Sequence, residues 1–424
     1  MKKQVKEAAV VVGVGLKSQP FQEVKESLAE LEELASAAGA EVVGTLAQSV
    51  HQFHPATLLG AGKVQEIKDF VLESQATLVV IDHQLTGGQT RNLESEIGAR
   101  VLDRSQLILD IFAQRAKTYE GKLQVELAQM LDQLPRMVGA WMGSLSRQGG
   151  GIGTRGPGET ALEIDRRRIR DRVKQIRKKL ESVRKNRSQH RALRRRQRVP
   201  SFALIGYTNS GKSTLLNKLT NSDVHTRDQV FATLDPTTRK VHLPELGDTV
   251  ITDTVGFIRN LPTHLIEAFK ATLEESAEAD ILLHVIDLSN PNMEHQIQVV
   301  EDLVEEFGWG DKPLIYVYNK VDVAPFEKQF RVQTQPRVFT SALTGDGIER
   351  LKKLMTESIK ELHQEVELYF PRSLEHKIYE LGRETQISKT EPGQRGTICF
   401  AHLNPSQLSR WRDFLVKESS IGTT

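Results

Sequence analysis

Residues 202–214 read FALIGYTNSGKST, an apolar run that enters a turn bounded by glycines and leaves it through a lysine. From Gly206 through Tyr207, Thr208, Asn209, Ser210 and Gly211 to Lys212 and Ser213 the spacing is G-x-x-x-x-G-K-S. Glycines at the two ends let the backbone curl so that its N–H groups face an anion. Lys212 supplies a compact positive charge for β and γ phosphates, and the Ser213 hydroxyl is a donor suited to Mg2+. The strand before and the amphipathic KSTLLNKLT after provide the context that a phosphate loop requires. This part of the chain therefore reads as a doubly wound α/β domain.

Downstream motifs name the base. Asp253, Thr254, Val255 and Gly256 follow the apolar TVIT; the aspartate is expected to hold Mg2+ through water, and the Gly256 N–H to meet a γ-phosphate. Asn319, Lys320, Val321 and Asp322 end the run LIYVY. The Asp322 carboxylate can accept two hydrogen bonds from the N1–H and N2 amine of guanine, a pair adenine lacks. Ser341, Ala342 and Leu343 suit a backbone contact to guanine O6. The order and spacing are those of a small GTP-hydrolysing domain, with GTP or GDP and Mg2+ as the bound groups.

Between the phosphate loop and Asp253 lies DQVFATLDPTTRK. A threonine there is expected to meet Mg2+ and the γ-phosphate only in the GTP state. Thr233, Thr237 and Thr238 are candidates, and Thr233 within Phe231, Ala232, Thr233, Leu234 and Asp235 is preferred. Lys212, Thr233 and Gly256 are the expected catalytic contributors. After Gly256 many such domains carry a glutamine that orients the attacking water, but this chain has Phe257. Phenylalanine cannot hydrogen-bond that water, so intrinsic hydrolysis is expected to be slow. Asn209 is similar to the asparagine of potassium-activated phosphate loops, where it helps hold K+; a loop-stabilising hydrogen bond is the other reading.

The flanks supply further domains. Residues 8–115 alternate apolar runs with amphipathic segments: AAVVVGVGL, AEVVGTLAQS, ATLVVID and ARVLDR as strands; FQEVKESLAELEELASAAG, GKVQEIKDFVLES and TGGQTRNLESEIG as helices. That alternation predicts a parallel sheet covered by helices over residues 1–115. Leu123, Leu127, Met130, Leu134 and Met137 are spaced 4, 3, 4, 3, as are Ile169, Val173, Ile176, Leu180 and Val183. Two such seams predict an antiparallel helical hairpin over 116–198, with Pro135 kinking the first helix near its end and RQGGGIGTRGPGET (147–160) as the tip. The GTP-binding domain then occupies 199–363, and 364–424 reads as a small α+β module.

Net charge is +2, yet residues 166–198 hold 17 Lys/Arg against 2 Asp/Glu, leaving the remainder at −13. So concentrated a basic block points to a polyanionic partner. It has no interleaved aromatics, which argues against base stacking along it. Cys399 is the single cysteine, so an internal disulfide or multi-cysteine metal site is excluded. No apolar stretch approaches the ~20 residues of a membrane span. The N-terminal AAVVVGVGL reads as a buried strand and not a secretion signal. A cytoplasmic monomer is expected. Weaker features are Gly60-Ala-Gly62-Lys63, read as a strand-to-helix turn in preference to a second phosphate site, His51 and His54, read as structural or surface residues, and Trp141, a packing anchor or an RNA contact.

The motifs GYTNSGKS, FATLDPTTR, DTVGFIRNLP and NKVD, with LDRSQLILDIFAQRAKTYEGKLQVELAQ and GGIGTRGPGET upstream, resemble those of the HflX GTPases. The resemblance covers about residues 8–362. It implies binding to the large ribosomal subunit and its rRNA, stimulation of GTP hydrolysis there, and splitting or rescue of stalled ribosomes under stress. Two other readings are a GTPase that assists ribosome assembly or RNA modification, and a nucleotide-gated RNA-binding module with negligible catalysis.

Overall fold

The structure is a computed structural model of the chain. It describes residues 6–145, 161–196, 199–220, 231, 236–259, 262, 265, 268, 276–362, 364–385, 387–393, 395–403 and 405–416. Contacts divide the chain into two compact units: Met1–Arg184 with Thr226–Pro236 and Thr254–Glu274, and Lys185–His225 with Thr237–Asp253 and Glu275–Thr424.

In the first unit four strands, β1 (Ala8–Leu16), β2 (Glu41–Val50), β3 (Leu78–Ile81) and β4 (Arg100–Asp103), form an all-parallel sheet in the order β2-β1-β3-β4. The helices are α1 (Phe21–Ala37), α2 (Ala61–Ser74), α3 (Gly87–Ile97) and α4 (Arg104–Arg115). Along β1, Val10 and Val12 pack with Val64, Ile67 and Leu93, while Ala9 and Val11 pack with Leu28, Leu31 and Ile108. Both faces of the strand are covered, which is why it reads as an unbroken apolar run. Helix α4 was not assigned from the sequence. It starts at a capping box in which the Asp103 side chain accepts from the Gln106 N–H at 2.9 Å.

Helices α5 (Tyr119–Leu145) and α6 (Ala161–Arg196) follow. The seam residues Leu123, Leu127, Val173, Ile176 and Leu180 share one buried core, and Arg172 Nε meets Glu126 Oε1 at 2.6 Å. Helix α5 runs past Pro135 and also buries Val125 and Ala128, which lie off the heptad seam. Val125 and Ala128 share a core with Ile108, Ile111 and Phe112 of α4, and α5 also packs on α3. Arg136 on α5 pairs with Asp103 at 2.6 Å and Asp132 at 2.8 Å. Helix α5 thus belongs to the N-terminal core as well as to the hairpin. The tip RQGGGIGTRGPGET lies outside the described residues.

In the second unit a six-stranded sheet has the order β10-β9-β8-β5-β7-β6. Its strands are β5 (Ser201–Ile205), β6 (Thr237–Leu243), β7 (Gly247–Asp253), β8 (Ile281–Asp287), β9 (Leu314–Asn319) and β10 (Arg337–Phe339). All pairings are parallel except β6 with β7. The helices are α7 (Lys212–Leu219), α8 (Met293–Glu306), α9 (Lys328–Arg331) and α10 (Ile348–Leu362). Phe202, Leu204, Leu283, Val285 and Val317 meet Leu215, Leu351 and Met355 in its core. Strand β6 was not anticipated, and it takes in the switch candidates Thr237 and Thr238.

The C-terminal part carries an antiparallel sheet of β11 (Gln364–Pro371), β12 (Ile387–Pro392) and β13 (Gly396–Leu403), ordered β11-β13-β12, with α11 (His376–Glu384) and the short α12 (Pro405–Arg410). Leu368, Phe370, Cys399, Leu381 and Trp411 form its core, which explains the inert, buried position of the lone thiol. Among the described residues no helix is long and apolar enough to cross a membrane.

Candidate nucleotide site

Strand β5 lies between β7 and β8, so the C-terminal ends of β5, β7, β8 and β9 deliver Gly206, Asp253, Asp287 and Asn319 to one edge of the sheet. Ligands of open parallel sheets bind at that edge. Gly206 has φ +145°, and a Cβ there would sit 2.2 Å from the Val285 carbonyl oxygen. Gly211 has φ +92°, and its Cβ would sit 2.3 Å from Asn319 Nδ2. No larger residue fits either place without moving the loop. Asn209 between them is also left-handed, at φ 61°.

Lys212 opens α7 and is buried. Its ammonium donates to the carbonyls of Gly206 at 3.0 Å and Tyr207 at 2.7 Å. Burial pulls its pKa down to about 8, with Asp253 opposing. The ammonium is thus held inside the loop by two backbone carbonyls. The Ser213 hydroxyl donates to Asp253 Oδ2 at 2.6 Å. Hydroxyl and carboxylate oxygens side by side at the first turn of a helix are a hard donor set that fits Mg2+ together with phosphate oxygens. Among the described residues no group of three or more His, Cys, Asp or Glu stands ready to hold a metal alone.

Asn319 does more than end a strand. Its Nδ2 donates to the Ser210 carbonyl at 2.9 Å, and its Oδ1 accepts from the Ala342 N–H at 2.9 Å. One buried amide therefore ties the phosphate loop to the Ser341–Leu343 turn. In that turn Ser341 Oγ accepts from the Thr344 N–H at 3.1 Å, while the Leu343 side chain is exposed and offers only its backbone. Lys320 is left-handed at φ 63° and its ammonium meets Asp287 at 2.8 Å, fixing the turn that presents the exposed Asp322. Beneath the loop, His284 on β8 is buried beside Tyr316. Burial, and then the Lys212 charge, push its pKa down to about 3. Neither the Asn319 bridge nor His284 has a sequence signature, because both depend on side chains brought together across the sheet.

The segments expected to sense the γ-phosphate are held differently. Ala232, Thr233, Leu234 and Asp235 lie outside the described residues. Phe231 is described, and its side chain lies in the first unit's core. It is 2% exposed and packs edge to face on Phe112 of α4, ring centres 4.6 Å apart. An apolar ring gains more from that core than from a charged ligand. Thr238 Oγ1 lies 2.9 Å from Thr252 Oγ1 across the β6–β7 pair. Thr254 and Val255 are buried, and Val255 shares the first unit's core with Phe231, Ile258, Leu265 and Ala268; Gly256 and Phe257 are buried with them. There the buried Arg104 is paired with Asp82 at 2.8 Å and Glu30 at 2.9 Å, and it donates to the Arg259 carbonyl at 3.1 Å. Burial disfavours the Arg104 charge, but the two carboxylates outweigh it and raise its pKa.

The weaker features have protein partners. Lys63 pairs with Glu66 at 2.8 Å, His54 meets Thr57 at 2.9 Å, and His51 meets Lys17 at 3.0 Å.

Three family models match the chain: "GTP-binding GTPase N-terminal" over 25–113, "GTP-binding GTPase Middle Region" over 115–194, and "50S ribosome-binding GTPase" over 201–320. The chain is similar to GTPase HflX of Caldanaerobacter subterraneus subsp. tengcongensis, at 44% identity over 97% of this chain and 94% of the relative. It matches GTPase HflX of Lacrimispora saccharolytica at 46% identity over 96% and 95%. The match to GTPase HflX of Escherichia coli (strain K12) is 48% identical over 79% of each chain.

Proposed function

The chain belongs to the HflX family of GTPases, and from that premise we propose that its GTP-bound form binds the large ribosomal subunit through rRNA, hydrolyses GTP there, and splits or rescues stalled ribosomes under stress. The observation that carries this reading is the face of α6. Arg167, Arg168, Arg170, Lys174, Arg177, Lys178 and Lys179 are exposed, while Val173, Ile176 and Leu180 are buried. The helix is fastened by its apolar seam and presents its cations outward, as an RNA phosphate backbone requires. The name of the matching central family model, "50S ribosome-binding GTPase", supports the same partner.

At the nucleotide, Lys212 would leave the Gly206 and Tyr207 carbonyls for the β and γ phosphates. Ser213, Asp253 through water, and Thr233 would hold Mg2+, which screens the phosphate charge when bound. Asp322 selects guanine, the Ser341–Leu343 backbone meets its O6, and Gly256 offers its N–H to the γ-phosphate. Phe257 is 3% exposed and cannot align water, so the alignment comes from the ribosome. The test is the rate of GTP turnover with and without purified large subunits; unchanged turnover contradicts the proposal. Repeating it in KCl and NaCl decides whether Asn209 holds K+, which predicts faster turnover in KCl. The loop 147–160 is proposed to probe the ribosome's catalytic region, so deleting residues 149–158 should leave GDP affinity intact and abolish splitting.

A further inference from the structure

Just beyond Asp322 the chain turns three large apolar side chains into solvent: Val323, Phe326 and Phe330 are 64%, 67% and 75% exposed. The two phenylalanine rings meet edge to face with centres 5.1 Å apart. The segment is tightly held. Between the rings, Lys328 points inward and its ammonium donates to the carbonyls of Leu288 at 3.1 Å, Ser289 at 3.1 Å and Asn290 at 2.8 Å. Val332 is buried with Ile286, Leu288, Met293 and Tyr318, and the Tyr318 hydroxyl lies 2.7 Å from Thr334 Oγ1. Half-burying the lysine while exposing the phenylalanines runs against the usual partition. A contiguous apolar patch on an ordered surface marks a contact with another molecule.

The charges around the patch indicate which kind. Glu327 and Asp322 are exposed within the same segment. Arg331 is the one exposed cation between residues 322 and 331. Aromatics that stack on RNA bases sit in grooves lined with positive charge, and this rim is acidic. We propose that Phe326 and Phe330 dock a protein element of the large ribosomal subunit, one that presents an apolar face flanked by Lys or Arg. The proposal rests on the ribosome-binding reading above and adds a second, protein-facing contact on the nucleotide domain, separate from the basic helix.

The test uses the full chain carrying a photo-crosslinking benzoylphenylalanine at position 330, mixed with purified large subunits and a non-hydrolysable GTP analogue. Irradiation should give an adduct destroyed by protease and resistant to ribonuclease. The double variant Phe326→Ser/Phe330→Ser should bind the subunits about tenfold more weakly, as expected for two central aromatic anchors, while its GDP affinity stays unchanged. A ribonuclease-sensitive adduct, an adduct to a second copy of this chain, no adduct in a complex that sediments, or unchanged affinity of the double variant overturns the proposal and leaves the ribosome-binding reading standing. Failure of the unmodified chain to bind subunits at all overturns both.

Discussion

The phosphate loop touches Asp253 through the Ser213 hydroxyl, and the segment that begins at Thr254 follows Asp253 in the chain, yet opposite forces hold the two. The loop is fixed by polar geometry: two glycines in left-handed turns, a buried ammonium on two carbonyls, and the Asn319 amide bridging to the Ser341–Leu343 turn. In the segment that follows Asp253, burial in the first unit's core holds Val255, Ile258, Leu265 and Ala268, and Arg104 grips the Arg259 carbonyl. Phe231 is lodged in the same core. The loop's geometry is thus set within the second unit. Any movement of the following segments has to be accommodated by the N-terminal core that holds them.

Substitutions can break one region and spare the other. Lys212→Ala removes at least two charge-assisted bonds to phosphate, worth about 1.5–3 kcal/mol each. GTP and GDP affinity should fall about a thousandfold or more in fluorescence titration, with the ligand-free circular dichroism spectrum unchanged. Arg104→Ala removes the guanidinium that pairs with Asp82 and Glu30, and breaking a buried pair in this way costs about 3–5 kcal/mol. The first unit's thermal transition should drop while GDP affinity stays near that of the unmodified chain. Equal loss of both would show that the two regions are not separable. Asn319→Ala strands the Ser210 carbonyl and Ala342 N–H, at about 1–3 kcal/mol. GTP and GDP should both weaken about tenfold, and a selective loss of GTP would contradict a purely positioning role.

The smallest effect is in protons. Ligand-free Lys212 has a pKa of about 8, and a bound phosphate raises it. Binding therefore takes up protons at and above pH 8 and almost none at pH 6.5, so affinity is flat below about 8 and falls as pH rises through it. Calorimetry of GDP binding in two buffers of different ionisation enthalpy measures this. Absence of uptake at pH 8.5 would mean that the buried amine keeps its charge without ligand.

Legibility followed the same divide. Phosphate and guanine chemistry demands given residues at given spacings, so Gly206–Ser213, Asp253 and Asn319–Asp322 stood out from sequence, and the structure brings the strand ends that carry them to one edge. The α6 seam was readable because a solvated helix shows its apolar stripe against charge. What escaped depended on distant partners. Phe231 lies in a run read for ligand contact, and nothing in the sequence marks its packing on Phe112. The second face of α5 was hidden because Val125 and Ala128 fall outside the heptad seam. Strands β6 and β12 were missed because polar edge strands carry little apolar alternation. Asn319 was placed at the nucleotide, but its bridging role joins groups 109 and 23 residues away and leaves no mark in sequence.

The most direct measurement is co-sedimentation of the full chain with purified large ribosomal subunits, in GDP and in a non-hydrolysable GTP analogue, across a salt series. The account predicts pelleting with the analogue and little with GDP, and an affinity that falls steeply and log-linearly with salt as the α6 cations release counterions. Equal pelleting in both nucleotides, or binding indifferent to salt, would contradict it.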